Sequence, residues 1–473
     1  MSASNATLGL FALYLVSVIA IGLWAARRGG DSEEDYFLGG RELSPFAMAL
    51  SAVTSGRSAW LVLGASAAAW KLGLSALWLF PGYILAEGVM FVTLGPRLRQ
   101  RSIDEGALTL PEVFERCPKT SDRFPVRPLA GLIIILFLVS YVSAQLVAGG
   151  KTLEAVFGLT GNTWGLAITA GIVLVYTLLG GYRAVVLTDV LQAFLLLAGL
   201  LVLPFLGLYH VGGWGALGTQ LRAIDPELMA LSRGWLPLIG GLAIGLGSLG
   251  NPHILVRHMT LKDPDAAKQA AFWGTGWNIV MAAGALLMGL VGRALYPEAG
   301  AFPSGDVDHL YASLAQEMSA LYLFPAFVGL LLATLFAAIM STCDSQLLVI
   351  ASSLLRDLRR GQASEEAGMA GSRLTVLVAL GAAVLLSLGA TRFVFPFVLL
   401  SWAALGAAFG PPLILLLYDP KTTRRGLALG LLLGCGVVGG FWLVQGGAIT
   451  WQLIPACLAS GLGTWALRAR RQG

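Results

Sequence analysis

The sequence predicts an all-α integral membrane protein, and three observations lead to this fold class. Of its 473 residues, 56% are hydrophobic and only 12% are charged, whereas about a quarter of the residues in a soluble domain are charged. The apolar residues form about thirteen runs of roughly 18 residues or more, which is the length that an α-helix needs to cross a bilayer. The second and the seventh run are interrupted by small and polar residues.

Short connections join consecutive runs, so no separate soluble domain fits between them. We therefore expect a single transmembrane domain over residues 1–473. The first run has no cationic leader before it and is expected to be a retained helix rather than a signal peptide. The approximate limits of the runs are 7–26, 45–69, 72–96, 127–149, 163–181, 184–209, 235–256, 269–293, 321–353, 373–390, 393–418, 425–445 and 449–467.

The interruption in the second run is the segment Ser55-Gly56-Arg57-Ser58. A helix in lipid satisfies its own backbone, so irregular backbone at membrane depth is tolerated only where it is buried in protein or lines a cavity. This segment therefore indicates a broken helix and a binding site.

The seventh run contains a second interruption, Gly247-Ser248-Leu249-Gly250, which is followed by Pro252. Its glycines indicate either close helix packing or an unwound centre. Two broken runs five apart predict two repeats of five helices, at about 45–209 and 235–418, and an odd repeat length inverts the second copy. The flanking helices are expected at 7–26, 425–445 and 449–467.

Four ionisable residues lie inside the apolar runs: Arg57, Glu87, Asp189 and Asp344. Each costs about 2.5–3.5 kcal/mol at the centre of a membrane helix, so each is a candidate for a functional site. The alternative is a structural ion pair within the bundle, and for Glu87 we favour this alternative with Arg57 as the partner. Asp189 lies near the inner end of its helix, where it either caps the helix or lines a cation path.

Asp344 has hydroxyl neighbours that suit a cation. On a helix, Ser341, Asp344 and Ser345 fall at positions i, i+3 and i+4, so their oxygens share one face. A hard cation such as sodium needs several oxygen ligands. The alternative is that these hydroxyls bond back to the preceding helical turn.

The distribution of basic residues predicts the orientation of the chain. The connections on one side carry about 24 Lys and Arg and those on the other about 6, and cytoplasmic loops are the ones enriched in these residues. We therefore expect an inner cell membrane protein with its N-terminus outside and its C-terminus in the cytoplasm. Because the net charge of +5 reflects this orientation, it does not indicate a nucleic acid partner.

The sequence shows no signature of an enzyme. Its four cysteines have no CxxC or metal-ligand spacing, which excludes a metal cluster and a disulfide framework. Neither a histidine cluster nor a nucleophile elbow is present. We therefore expect no catalytic residues.

Six short motifs occur in order along most of the chain, and together they resemble the sodium/solute symporter family, especially its bacterial sodium/proline symporters. The resemblance implies a LeuT-type 5+5 inverted repeat, a small-molecule solute, a lipid bilayer environment, and sodium as the coupling ion without another cofactor. The motifs are Asp35-Tyr36-Phe37-Leu38-Gly39-Gly40-Arg41, Ala107-Leu108-Thr109-Leu110-Pro111, Gly180-Gly181 with Thr188-Asp189 and Gln192, Pro252-His253-Ile254-Leu255-Val256-Arg257, Met340-Ser341-Thr342, and Ser401-Trp402-Ala403-Ala404-Leu405-Gly406-Ala407-Ala408-Phe409-Gly410-Pro411.

The same resemblance implies three groups of site residues. The shared sodium site falls on backbone carbonyls of Thr54, Arg57 and Ala338 and on the hydroxyls of Ser341 and Thr342. A second sodium or proton site falls on Asp189, Ser341, Asp344 and Ser345. The substrate pocket falls on Ser58, Ala59, Trp60, Tyr141, Gln145, Ser248 and Pro252, with Arg57 beside it.

The chain departs from the proline symporters at both breaks. Gly56 replaces an aspartate that they need for sodium coupling, and Arg57 replaces a neutral residue. Ile244 and Ser248 stand where they carry large aromatic residues. These differences add a cation, remove a carboxylate and reshape the pocket.

Three functions are compatible with these features. The first is symport of sodium with a small carboxylate-bearing solute, proline or another amino acid, with Arg57 facing the solute carboxylate or pairing with Glu87. The second is a proton-coupled or sodium-independent transporter of an organic acid, in which Arg57 replaces the sodium ion and Asp189 or Asp344 takes up a proton. The third is a membrane sensor without transport, which we consider least supported because no signalling domain follows Arg468.

Overall fold

The computed structural model describes residues 5–27, 33–157, 162–179, 181–263, 266–322, 326–358, 368–389, 394–445 and 450–469. Within these ranges the secondary structure is helical and no β-strand forms; a single parallel bridge pairs Leu43 with Leu261. The motif residue Gly180, and the predicted run limits that fall in the gaps between these ranges, lie outside the described residues.

Twenty α-helices are described within these ranges. Several continue through short 3₁₀ or π-helical turns, of which Trp60–Ala65, Met90–Leu94 and Ser353–Leu358 are π-helical. The helices are α1 Asn5–Ala26, α2 Glu33–Leu38, α3 Pro45–Ala59, α4 Ser66–Leu72, α5 Pro81–Val89, α6 Gly95–Asp104, α7 Leu110–Arg116, α8 Val126–Phe157, α9 Asn162–Leu179, α10 Tyr182–Val211, α11 Gly213–Ile224, α12 Trp235–Ser248, α13 Pro252–Met259, α14 Ala267–Leu295, α15 Leu310–Leu321, α16 Ala326–Ser352, α17 Gly368–Gly389, α18 Val394–Tyr418, α19 Arg424–Gln445 and α20 Leu453–Ala466.

The helices coincide with the apolar runs of the sequence. In the described part of the chain, 8 helical segments are long and apolar enough to cross a membrane, or 9 when α12 and α13 count as one bent span. One of the segments, Pro45–Asp104, has 60 residues, whereas a single crossing needs about 20. The all-helical membrane fold is therefore confirmed, and the number of about thirteen crossings stays a prediction.

The helix α16 lies at the centre of the bundle, because it packs against α1, α3, α8 and α10. The interrupted helix α3 packs against α10, α14 and α16, and α13 packs against α3. The second interrupted helix, α12, packs against α5 and α18. This arrangement places both interruptions inside the bundle rather than at its lipid-facing surface.

The glycines of α12 permit close helix packing. A Cβ atom at Gly245 would lie 2.1 Å from the backbone oxygen of Gly82, so α12 and α5 touch backbone to backbone. Helix α12 nevertheless ends at Ser248, and α13 leaves it at an angle of 49°. Close packing and a broken helix, which the sequence presented as alternatives, are therefore both present.

Candidate functional site

The break in α3 is confined to one residue. Helical geometry continues through Arg57, and Ser58 alone departs from it, with φ 50° and ψ −172°. The expectation of a four-residue interruption is wrong in this respect. A non-glycine residue with positive φ costs about 1–3 kcal/mol, so its surroundings must hold it in place.

Helix α8 holds this irregular backbone. The hydroxyl of Tyr141 donates a hydrogen bond of 3.3 Å to Ser58 Oγ, and the amide N–H of Ala59 donates one of 3.0 Å to Gln145 Oε1. The amide of Trp60 donates to Ser58 Oγ over 3.1 Å. The bonds from Tyr141 and to Gln145 join the irregular segment to α8, and the Gln145 carbonyl satisfies the Ala59 amide next to the break.

The second break is held by α18. After Ser248, the side chain of Asn251 donates hydrogen bonds of 2.7 Å to the carbonyl of Gly247 and 3.3 Å to that of Trp402. The indole N–H of Trp402 in turn donates to the carbonyl of Ile244 over 2.9 Å. Pro252 begins the next helix, α13, at its first turn.

A small cavity of about 20 Å³ lies beside the first break. This volume is close to that of a single water molecule, so a larger solute needs the walls to move. Of the predicted pocket residues, Arg57, Trp60 and Tyr141 line it, whereas Ser58, Ala59, Gln145, Ser248 and Pro252 do not. The lining residues are Gly56, Arg57, Trp60, Tyr83, Tyr141, Ile244, Val398, Leu399 and Trp402.

The side chain of Arg57 forms a buried ion pair with Glu87 of α5. The carboxylate of Glu87 also accepts a hydrogen bond of 3.0 Å from Ser248 Oγ and one of 2.8 Å from Asn278 Nδ2. The guanidinium carbon of Arg57 lies 3.9 Å from the centre of the Tyr83 ring. The pairing of Arg57 with Glu87 expected from the sequence is therefore present, and it connects both breaks to α14.

A cluster of oxygen atoms lies on the other side of α3, facing α16. The hydroxyl of Thr342 lies 3.1 Å from both the carbonyl of Ser55 and that of Ala338. The hydroxyl of Ser341 donates to the same Ala338 carbonyl over 3.1 Å. Thr54 Oγ1 is buried and makes no hydrogen bond within the described residues.

The structure brings together three of the residues predicted for the sodium site. Ala338, Ser341 and Thr342 contribute oxygen atoms to the cluster, and hard cations take oxygen ligands. Thr54 precedes Ser55 on α3, and among the described residues no hydrogen bond joins its hydroxyl to the cluster. The carbonyl that faces Thr342 from α3 belongs to Ser55, whereas the Arg57 carbonyl accepts the amide of Trp60. The guanidinium of Arg57 binds Glu87 and not this cluster.

Asp189 of α10 is the centre of a second buried polar cluster. Its Oδ2 atom accepts hydrogen bonds of 2.5 Å from Ser51 Oγ and 3.1 Å from Ser55 Oγ. Its Oδ1 atom has no hydrogen-bond partner among the residues that the structure describes. The carboxylate thus holds α3 and still presents an oxygen that could ligate a cation.

Arg257 of α13 completes this cluster. Its Nη2 atom lies 3.1 Å from Asp189 Oδ2 and also donates to the hydroxyls of Ser55 and Ser345. Asp344 Oδ1 in turn accepts hydrogen bonds from the amide and the hydroxyl of Ser345. The structure thus joins three residues predicted for the second site, Asp189, Asp344 and Ser345, in one hydrogen-bond network, and the guanidinium of Arg257 lies among them.

The sequence interpretation missed Arg257, Tyr83, Asn278 and Trp402. Arg257 stands one residue beyond the predicted limit of its apolar run, so it was counted with the loops. Arg257 stands five residues after Pro252 and one helical turn after His253, so the two side chains share a helix face. This spacing is the signal that could have placed Arg257 within the helix bundle. For Tyr83 and Asn278 the sequence carries no comparable signal, because a single polar residue in an apolar helix has no predictable partner.

The chain is similar over most of its length to bacterial proline transporters. The chain is 35% identical over 459 residues to the osmoregulated proline transporter OpuE of Bacillus subtilis, covering 95% of this chain and 91% of the relative. It is 35% identical over 442 residues to the sodium/proline symporter of Staphylococcus aureus, covering 91% and 84%.

Among solved structures, a Na⁺-coupled sialic acid symporter in its substrate-bound, outward-open state aligns with a TM-score of 0.81. The alignment covers 98% of this chain and 97% of that one at 17% identity, so it shows the fold alone. With such neighbours, the LeuT-type fold expected from the motifs is confirmed. The model of the sodium:solute symporter family matches residues 36–434, and this integral membrane protein therefore belongs to the sodium:solute symporter family.

Proposed function

We propose that this protein couples sodium influx to the uptake of a small carboxylate-bearing solute, proline or another amino acid. The observation that carries the proposal is the course of α3. Its residue Ser55 offers a carbonyl to Thr342 of the oxygen cluster, and Arg57 and Trp60, on either side of the irregular Ser58, line the aromatic cavity. The names of the relatives, proline transporters and sodium/proline symporters, support the choice of ion and solute. These relatives and the family are transporters, which supports a protein without catalytic activity.

The sodium ion would be held by oxygen atoms on α3 and α16. The buried hydroxyl of Thr54, which makes no hydrogen bond in the described part of the chain, and the hydroxyls of Ser341 and Thr342 supply such atoms. A sodium ion at this place joins α3 to α16 next to Ser58 and so stabilises the geometry that the solute meets. One charge moving through 100 mV supplies about 2.3 kcal/mol for solute accumulation.

The solute would bind in the cavity beside Arg57, Trp60 and Tyr141. Ser58, Ala59 and Gln145 do not line the cavity but fix the backbone beside it, because they hold the irregular segment of α3 to α8. Ser248 acts on the site indirectly, because its hydroxyl donates a hydrogen bond to Glu87. Pro252 begins α13 after the second break. The cavity must widen around the solute, which the two breaks permit because each is a hinge in its helix.

Asp189, Ser341, Asp344 and Ser345 would form a second cation position on the inner side. The Oδ1 atom of buried Asp189 supports this assignment, since it has no hydrogen-bond partner among the described residues and remains free to ligate a cation while Oδ2 pairs with Arg257. A proton at Asp189 or Asp344 is the alternative occupant. Because Arg57 binds Glu87, its guanidinium is not the cation of either oxygen cluster, which removes the support for a permanently occupied sodium site.

We also propose that the N-terminus lies outside and the C-terminus in the cytoplasm of the inner cell membrane. Contacts between the basic connections support this arrangement. Asp122 accepts a hydrogen bond of 2.6 Å from the Arg425 amide, and Arg127 lies 2.9 Å from Asp357. The connection after α7, the start of α8, the π-helical turn after α16 and the start of α19 therefore lie on one face, as the charge distribution requires for the cytoplasmic side.

Uptake of labelled L-proline into proteoliposomes tests the proposed function. An inward sodium gradient should drive accumulation, and replacing sodium by potassium or choline on both sides should abolish it. Uptake that follows an inward proton gradient and ignores sodium would establish the alternative coupling. If no amino acid in a mixture of the twenty common ones is taken up under a sodium gradient, the proposal is wrong.

A further inference from the structure

The ion pair of Arg57 and Glu87 lies at the edge of the cavity and is fully shielded from solvent. The side chains are 1% and 3% exposed, respectively. Burying two charges costs desolvation that their mutual attraction does not always recover, so such a pair is weak evidence of a purely stabilising role. Its place beside the cavity requires another explanation.

Each partner of the pair is held by groups that do not depend on the other partner. Glu87 accepts hydrogen bonds from Ser248 at 3.0 Å and from Asn278 at 2.8 Å. The guanidinium of Arg57 stacks on Tyr83, a contact that is favourable for a cation over an aromatic ring. When Arg57 and Glu87 separate, both charged groups therefore keep their positions.

Arg57 also has unused bonding capacity. Its Nε atom is buried and makes no hydrogen bond within the part of the chain that the structure describes. A guanidinium can bind a carboxylate through two parallel N–H groups, and among the described residues Glu87 accepts from the Nη2 atom of Arg57 while Nε stays unpartnered. The cavity of about 20 Å³ adjoins this side chain and has walls of Trp60, Tyr141 and Trp402.

We propose that Arg57 and Glu87 together are the head-group receptor of a zwitterionic substrate. The substrate carboxylate takes the place of Glu87 on Arg57, and the substrate ammonium binds the carboxylate of Glu87. Ser248 and Asn278 hold Glu87 in position during the exchange. This inference rests on the proposed uptake of an amino acid and names the residues that recognise its two charges.

Conservation of charge makes the receptor selective. The ion pair is neutral, and a zwitterion is neutral, so the exchange leaves every buried charge paired. A monocarboxylate of the same size pairs with Arg57 but leaves the charge of Glu87 unpaired in a buried site, which is costly. The receptor therefore accepts amino acids and rejects organic acids, although both carry a carboxylate.

Ligand-induced thermal stabilisation of the purified full-length protein tests this selectivity without requiring transport. The ligands are matched pairs that differ in the ammonium group: L-proline and cyclopentanecarboxylate, L-alanine and propionate, L-phenylalanine and 3-phenylpropionate. The decisive pair is the one that contains the ligand with the highest affinity. In that pair we expect the amino acid to bind at least tenfold more tightly than the matched carboxylate without the ammonium group. Equal binding, tighter binding of the acid, or no stabilisation by any amino acid overturns the inference.

The variant Glu87→Gln tests whether Glu87 recognises the ammonium group of the substrate. We expect it to reduce the tenfold preference to less than twofold, whereas the control Glu317→Gln, at a partly buried carboxylate bonded to Tyr296, keeps it. A Glu87→Gln protein with the wild-type preference contradicts the inference. If Glu87→Gln does not fold, the double variant Arg57→Glu with Glu87→Arg exchanges the two charges and restores a neutral pair. This variant should still prefer amino acids over the matched acids. Loss of that preference in the folded double variant also contradicts the inference.

These results are distinguishable from failure of the proposed function. Preference for an amino acid together with uptake that ignores sodium supports the receptor and rejects sodium coupling. Sodium-driven uptake of a monocarboxylate supports the coupling and rejects the receptor.

Discussion

Arg257 on α13 and Asp189 on α10 form an ion pair with an N–O distance of 3.1 Å in the buried centre of the bundle. The pair lies directly after the second helix break, and both residues also contact Ser51 and Ser55 near the first break. The interrupted helices of the two predicted repeats are thus joined through one carboxylate and one guanidinium. Movement of α13 relative to α3 requires these bonds to change.

Removing one partner of this pair should destabilise the protein strongly. In Arg257→Leu, Asp189 is left as a buried charge without its guanidinium, and the expected loss is about 3–5 kcal/mol. The double variant Arg257→Leu with Asp189→Leu should lose less than the single variant. Thermal unfolding of the four proteins measures this cycle, and a double variant that loses the sum of the two single losses shows that the pair is not coupled.

Close packing of α12 on α5 makes Gly245 intolerant of a side chain. Because a Cβ atom there would lie 2.1 Å from the Gly82 carbonyl, Gly245→Ala should separate the helices and cost about 1–3 kcal/mol. The control is Gly276→Ala on α14, where a Cβ atom meets nothing within 4 Å. Equal melting temperatures for the two variants would show that this packing does not limit stability.

The protein should lose stability in acid through Glu112 of α7. Burial raises the pKa of Glu112, but the charges of Arg356 and Arg127 and a hydrogen bond from the Leu108 amide outweigh it, so its pKa lies below the ordinary value. The Nη2 atom of Arg116 lies 3.7 Å from Glu112 Oε1. Asp357 also faces these groups, because it pairs with Arg127.

The sign of this pH effect follows from the lowered pKa. A carboxyl group whose pKa is lower in the folded protein stabilises fully above its unfolded pKa of about 4.3, and this contribution is lost as pH falls through the folded value. Melting temperatures measured from pH 7 to pH 3 should therefore decline less in Glu112→Gln than in the wild type below about pH 4.3. An identical decline in both proteins would assign the acid sensitivity to other carboxyl groups.

The helices and the second break could be predicted from the sequence because they depend on local composition. A run of apolar residues predicts a membrane helix, and the glycines before Pro252 predict its interruption, since proline inside a helix removes a backbone hydrogen bond. The pairing of Arg57 with Glu87 was also predictable, since a buried charge needs a partner and few were present.

The remaining features depend on tertiary contacts. Positive φ at Ser58 is held by Tyr141 and Gln145 of another helix, so its sequence alone indicated a longer break. Arg257 was assigned to a loop because the limits of a helix are less certain than its existence. Asn278 acquires its role only because α14 packs against α5 near Glu87.

We propose that sodium bound beside the first break prepares the site for its solute. The most direct measurement is the affinity of the purified protein for L-proline in sodium and in potassium, for the wild type, Thr342→Val and the control Thr177→Val. Thr177 is a buried threonine whose hydroxyl bonds back to the Val173 carbonyl at 2.8 Å, outside the oxygen cluster. We expect sodium to increase the affinity at least tenfold in the wild type and in Thr177→Val and less than twofold in Thr342→Val; equal affinities in sodium and potassium for the wild type would contradict the claim.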